Sequence, residues 1–381
     1  MYKIYLDHNA TTPLRPEVFK EMSRFYDVDF GNASSLHTYG RTASDAIEEA
    51  RLKVAGLLGG SEPVDVVFTS GGTESNNFAI KGVANALRPR GRHIITTSIE
   101  HLAVLNVCEF LKKDGFDLSY IPVNKYGIID LNILSEEIRN DTILISVMLA
   151  NNEIGTLEPL DEIARIAKKR GILLHTDAVQ AAGKINLNMG EISADLVSIS
   201  AHKLYGPKGV GALYIKKGTL VTPLIHGGHH ERNRRAGTEN VPGIAGFGRA
   251  CELVAGGMES EKDRITGLRN RLKAGIEREI PDVCFNGHPG SCLPNTLNVS
   301  FKGISAEGLL YNLDLKGIAV SGGSACTSGS LNPSHVLEAI GIEDSYIRGS
   351  IRFSLGITNK EKDIDIVINE TKNIVERLRR A

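Results

Sequence analysis

What this 381-residue chain lacks narrows its class before any motif is read. No apolar run reaches the length of about 20 residues that crosses a bilayer as a helix. The opening stretch Met1-Tyr-Lys-Ile-Tyr-Leu-Asp7 has neither the apolar core of a secretory signal nor the arginines of a transit peptide. The formal net charge is only -1, so no global field favours nucleic acid or an anionic membrane. The five cysteines, Cys108, Cys251, Cys284, Cys292 and Cys326, are odd in number and scattered, with no C-x-x-C pair. That excludes a disulfide framework and argues against an intrachain zinc site. Repeats and low-complexity segments are missing too. A cytoplasmic protein of ordinary composition, 41% hydrophobic and 23% charged, is the expectation.

What is present is an alternation of apolar strands and amphipathic helices. Strands are predicted over Val64-to-Phe68, His93-to-Thr97, Thr142-to-Leu149, Ile172-to-Thr176, Leu196-to-Ile199 and Gly209-to-Ile215. Helices are predicted from Ala43 to Leu58, from Thr73 to Leu87 and after His101. This is an α/β pattern with a mostly parallel sheet, whose ligands belong at the carboxyl ends of the strands. After Val241 a long helical stretch runs to about Arg278, followed by shorter strands at Thr296-to-Phe301 and Ser350-to-Leu355. The expected division is a large domain over 14–258 and a smaller α+β domain formed by 1–13 and 259–381. Lys360-to-Arg380 is a charged amphipathic helix.

The chemistry concentrates where strands end. Leu196-to-Ile199 leads to Ser200, His202 and Lys203, and Ile172-to-Thr176 leads to Asp177. A lysine and a carboxylate at two such ends fit pyridoxal 5'-phosphate (PLP), whose aldehyde condenses with an amine and whose ring nitrogen takes an acid partner. The pair alone fits a buried salt bridge equally well. Thr69-Ser-Gly-Gly72-Thr73 joins a strand to a helix, and a helix start with glycines offers free N–H groups to a phosphate. It is neither a dinucleotide fingerprint nor a P-loop. His101 follows another strand, where an imidazole can stack on a ring or move protons. Asn152 and Gln180 can orient polar substituents, or serve as caps. Cys326 stands in Ser321-Gly-Gly-Ser-Ala-Cys326-Thr-Ser-Gly-Ser330, small residues that suit a mobile, reactive thiol. Arg352, between apolar Ile351 and Phe353, can offer a fork to a carboxylate.

Taken together, these residues resemble the cysteine desulfurases, class V within aminotransferase fold type I. The likeness runs from Tyr5-Leu-Asp-His-Asn-Ala-Thr-Thr-Pro13 to Ile351-Arg-Phe-Ser-Leu355. Ser324-Ala-Cys-Thr-Ser328 looks like the group I, NifS/IscS-type branch. The resemblance implies PLP bound through Lys203, with Asp177 on the pyridine nitrogen, His101 stacked on the ring and Gln180 at the phenolic oxygen. It gives Gly72, Thr73, Ser200 and His202 to the phosphate, and Asn152 and Arg352 to the substrate carboxylate. Thr238 would reach the phosphate of a partner subunit, implying a homodimer. L-cysteine would yield L-alanine and a persulfide on Cys326, for an acceptor such as an iron–sulfur cluster scaffold. No metal site is implied beyond a transient iron–sulfur contact at Cys326. Three departures stand out: His229-His230 where the family usually has Gly-Gln, Ala33 where it has proline, and a short C-terminal tail. The last bears on the acceptor, not the chemistry. Rival readings are a selenocysteine lyase or transaminase of the same fold, and a non-catalytic sulfur carrier using Cys326.

Overall fold

The computed structural model describes residues 3–322 and 333–380. A two-residue strand, β1 (Ile4–Tyr5), opens the chain, and helices Pro16–Asp27 and Thr38–Leu58 follow. Seven strands then build the main sheet: β2 (Val66–Thr69), β3 (His93–Thr97), β4 (Asp117–Ile121), β5 (Thr142–Ser146), β6 (Leu173–Asp177), β7 (Leu196–Ser200) and β8 (Gly211–Ile215). Their spatial order is β2-β8-β7-β6-β5-β3-β4. Only β8 runs against its neighbours; every other pair is parallel. Every residue of β2, β3, β5, β7 and β8 is buried, which is why these strands read as unbroken apolar runs.

β4 has no counterpart in the sequence reading. Asp117 and Tyr120 are exposed while Ser119 and Ile121 are buried, so no apolar run marks it. It is an edge strand, held by pairing with β3 alone. The strand expected over Thr142-to-Leu149 ends as a sheet element at Ser146.

Among the described residues five further strands follow the main sheet: β9 (Val283–Asn286), β10 (Thr296–Phe301), β11 (Ile318–Ala319), β12 (Ser321–Gly322) and β13 (Ser350–Ser354). Four of them form an antiparallel sheet in the order β12-β13-β10-β9, while β11 pairs with β1. This sheet has its own apolar cluster, which includes Ile4 and Leu6 from the chain start and Ile364, Val367 and Val375 from the closing helix Glu361–Arg380.

The 39-residue helix Val241–Glu279 spans both cores. Ile244, Phe247, Cys251 and Val254 pack under the main sheet, and Ile265, Leu268, Leu272 and Ile276 pack under the small one. Gly246, Gly248 and Gly275 serve packing, whereas Gly256, Gly257 and Gly267 face open space. A Cβ at Gly248 would lie 2.6 Å from Ala50 Cα, so only glycine lets this helix meet Thr38–Leu58 so closely.

Candidate active site

Parallel strands end on one edge, and there the side chains converge. A cavity of about 350 Å³, within the size range of small-molecule sites, is lined from the ends of β3, β5, β6 and β7, from the helix after β2, and from the small sheet. Gly72, Thr73, His101, Asn152, Asp177, Gln180, Ser200, His202, Lys203 and Arg352 all border it. One expected residue does not. Thr238 is exposed and borders a separate cleft behind the Thr69-to-Gly72 loop, with Ser70, Arg235 and Gly237. Cys326 lies outside the described residues.

Asp177 ends β6 and is 6% exposed. Its Oδ2 accepts from Asn76 Nδ2 at 2.6 Å and its Oδ1 from the Val179 N–H at 2.9 Å. Among the described residues it forms no ion pair. Lys203 Nζ instead donates to the carbonyls of Asn9 at 2.5 Å and Ala10 at 2.8 Å. The buried Asp177–Lys203 salt bridge, the rival explanation of this pair, is therefore not formed. A carboxylate so enclosed with only neutral donors is costly unless a cation joins it. A protonated pyridine nitrogen is such a cation.

The loop after β2 offers backbone donors. Helix Gly72–Leu87 starts without a side-chain cap at Gly71, whose φ of 150° suits glycine. The N–H groups of its first turn are the donors a phosphate needs. Ser200, 2% exposed at the end of β7, faces the same loop: a Cβ on Gly71 would lie 3.8 Å from its Oγ. Arg235 clasps Glu74, the third residue of the helix, at 2.9 and 3.2 Å. That contact ties the segment carrying Thr238 to the back of the phosphate loop.

His101 caps helix Leu102–Lys113, its Nδ1 accepting from the Ala103 N–H at 3.0 Å. With Nδ1 an acceptor, the neutral ring carries its proton on Nε2. Burial, with the charges of Lys203, Lys208 and Lys184, pushes the His202 ring down to about 4. It is neutral near pH 7 and lies 3.2 Å from Thr11 Oγ1.

Arg352, on β13, is 1% exposed. Nη1 donates to the Asn152 carbonyl at 2.9 Å and Nη2 to Asp7 Oδ1 at 2.8 Å. Its Nε is buried without a partner among the described residues. Arg352 itself borders the cavity, where a guanidinium suits a carboxylate ligand. Two carboxyl groups at the wall are shifted towards the neutral form. Burial pushes Glu100 up to about 8 and Glu153 up to about 7.

Several site residues carried no sequence signal of their own. Asn9 is the hub: its carbonyl receives Lys203 and Gln180, its Oδ1 receives Lys184 and Asn295, and its Nδ2 donates to Thr296. It stands in the Asp7-to-Pro13 run without a role assigned. Asn76 is the one the helical period reveals, since it lies four residues past Gly72 on the buried face. Among the described residues no cluster of ligating side chains could hold a metal ion.

Fold and site define a PLP-dependent enzyme: the groups that would hold the ring nitrogen, the aldehyde and the phosphate border one cavity. Comparison with known proteins narrows the class. The family model for aminotransferase class V matches residues 4–367. Cysteine desulfurase IscS of Dictyoglomus turgidum is 52% identical over 377 residues, spanning 99% of this chain and 95% of that protein. A solved NifS-like protein superposes with a TM-score of 0.93 at 40% identity, covering 99% of this chain and 100% of its own. A structure of SspA in complex with cysteine superposes with a TM-score of 0.83 at 36% identity, covering 93% and 99%. The chain belongs to the class-V aminotransferase family and, within it, to the cysteine desulfurases.

Proposed function

We propose that this enzyme takes sulfur from L-cysteine, releases L-alanine, and carries the sulfur as a persulfide on Cys326. The observation that carries the reading of the site is Asp177: buried, without an ion pair among the described residues, and bordering the same cavity as Lys203. PLP held by Lys203 supplies the electron sink that makes the substrate Cα–H acidic. Asp177 keeps the ring nitrogen protonated through its opposite charge. Helix Gly72–Leu87, Ser200 and His202 hold the phosphate. Arg352 and Asn152 bind and orient the substrate carboxylate. The Lys203 amine takes up the α-proton and returns it, with His101 Nε2–H as the second proton donor. Cys326 Sγ, as thiolate, attacks the substrate sulfur. An S–S bond forms as the C–S bond breaks, and the bonding pair stays on Cβ, which takes up a proton.

The separate apolar clusters met by residues 244–254 and by residues 265–276 of the long helix support a large domain over 14–258 and a small one over 1–13 and 259–381. The exposure of Thr238 outside the cavity supports a homodimer in which it serves the partner's phosphate. The relatives named IscS support delivery to an iron–sulfur scaffold, and the scattered thiols a reducing cytoplasm.

Cys326→Ser separates the two halves of the reaction. Spectral changes on adding L-cysteine should persist, because they need Lys203, Asp177 and Arg352. Alanine and sulfide output should collapse, since a serine hydroxyl is a poor nucleophile towards sulfur. In the native enzyme, mass spectrometry without reductant should place one added sulfur on the Cys326 peptide. A label on Cys108, Cys251, Cys284 or Cys292, or full alanine output from the variant, would overturn the assignment.

A further inference from the structure

Behind the cavity wall stands a second enclosed amine that the chemistry above does not use. Lys184 Nζ donates to Gln180 Oε1 at 2.7 Å and to Asn9 Oδ1 at 3.0 Å. Burial, with Lys203 and Arg352 nearby, holds this amine well below the usual lysine range. Keeping an amine in such a place is costly, so what it does there matters.

Its two partners have no freedom to turn. Asn9 Nδ2 is committed to Thr296 Oγ1 at 2.8 Å and to the Asn152 carbonyl at 3.2 Å, which leaves Oδ1 towards Lys184. Gln180 Nε2 is committed to the Asn9 carbonyl at 2.9 Å, which leaves Oε1 towards Lys184. Both groups facing Lys184 are acceptors, and charged or neutral it can donate to both. Flipping the Gln180 amide would set N–H against the amine and oxygen against the Asn9 carbonyl. One Nε2–H then remains for the cavity that Gln180 borders. The same Asn9 carbonyl receives Lys203 Nζ. We infer that Lys184 is a positioning residue: it locks Gln180 as a hydrogen-bond donor towards the PLP phenolic oxygen, and through Asn9 it steadies the carbonyl that anchors Lys203.

This inference rests on the PLP reading, and its test separates the two. Lys184→Met keeps the length and removes both donations. Two quantities are read besides turnover: the dissociation constant of PLP added to the apoenzyme, and the pH midpoint of the visible absorption of the PLP-loaded enzyme without cysteine. Loss of an oriented donor should weaken PLP binding by about 10-fold. It should also raise the midpoint by about one unit, because an oriented donor at the phenolic oxygen disfavours added positive charge near Lys203. Gln180→Met should do the same, and the double variant should add nothing further, as coupled neighbours do. Lys184→Arg, which keeps donors, should recover most of the midpoint. If Lys184→Met does not fold, Lys184→Gln is measured instead; it is too short to reach both acceptors, so the same shifts are expected. A native protein that does not bind PLP would sink the PLP reading itself. A native protein that binds PLP, with unchanged binding and midpoint in the variant or with additive effects in the double variant, would sink the role of Lys184 alone.

Discussion

At Asp177 a buried carboxyl group meets no cation among the described residues. Asn76 and the Val179 N–H satisfy its oxygens as hydrogen-bond acceptors, yet neither neutralises it. Such a carboxylate stabilises a cation arriving in the cavity far more than a solvated one would, because little water screens it. Asp177→Asn keeps the size and the contact from Val179 but removes the charge. Turnover of L-cysteine should fall by at least about 100-fold, the scale of losing one preorganised electrostatic contact. The fold and most of the bound PLP should survive. Steady-state alanine production, normalised to PLP content, measures it; turnover near the native value at full PLP occupancy would remove Asp177 from its role.

The elements matter here through where they start and stop. β2 delivers the glycines, β6 the carboxylate and β7 the serine and lysine, each at its carboxyl end, so chain direction alone gathers them. Helix Gly72–Leu87 must then approach the turn after β6 closely. A Cβ at Gly72 would lie 2.8 Å from Val179 Cγ2, two residues past Asp177. Gly72→Ala therefore pushes the phosphate loop and the Asp177 turn apart. The expectation is a folded protein whose PLP dissociation constant rises by about 10-fold, the size of a small overpacking cost. Equilibrium dialysis of the apoprotein with PLP reads this directly, and native-like affinity would show that the loop has room to spare.

On the scale of the whole molecule, the open question is whether one chain closes its own site. Thr238 is held near the phosphate loop through the Arg235–Glu74 contact, yet it lies outside the cavity. If it serves a partner, Thr238→Ala and Lys203→Ala should complement each other. In a mixed dimer one site carries both lesions and the other neither, so activity should return towards half that of the native enzyme per mixed dimer. Purified variants mixed under conditions of proven subunit exchange provide the measurement. No recovery would mean a site complete within one chain.

Most of the main sheet was legible in the sequence because its strands are buried on both faces and read as apolar runs. The lysine, carboxylate, histidine and glycines of the site were legible because polar groups at the ends of such runs stand out. β4 was not legible, since an edge strand takes its place from a neighbour rather than from its own pattern. The local sequence of Asp177 and Lys203 allowed a salt bridge. The tertiary structure decided against it by bringing the chain start, Asn9 and Ala10, against Lys203, and Asn76 against Asp177. Lys184 and Asn9 show the same limit. Their partners lie 4 and 175 residues away in sequence from Lys184, and only the long-range one makes the hub. Local pattern determines which segments are strands and which side chains end them; which donor meets which acceptor across the cavity is decided by packing of distant segments, where sequence spacing carries no distance.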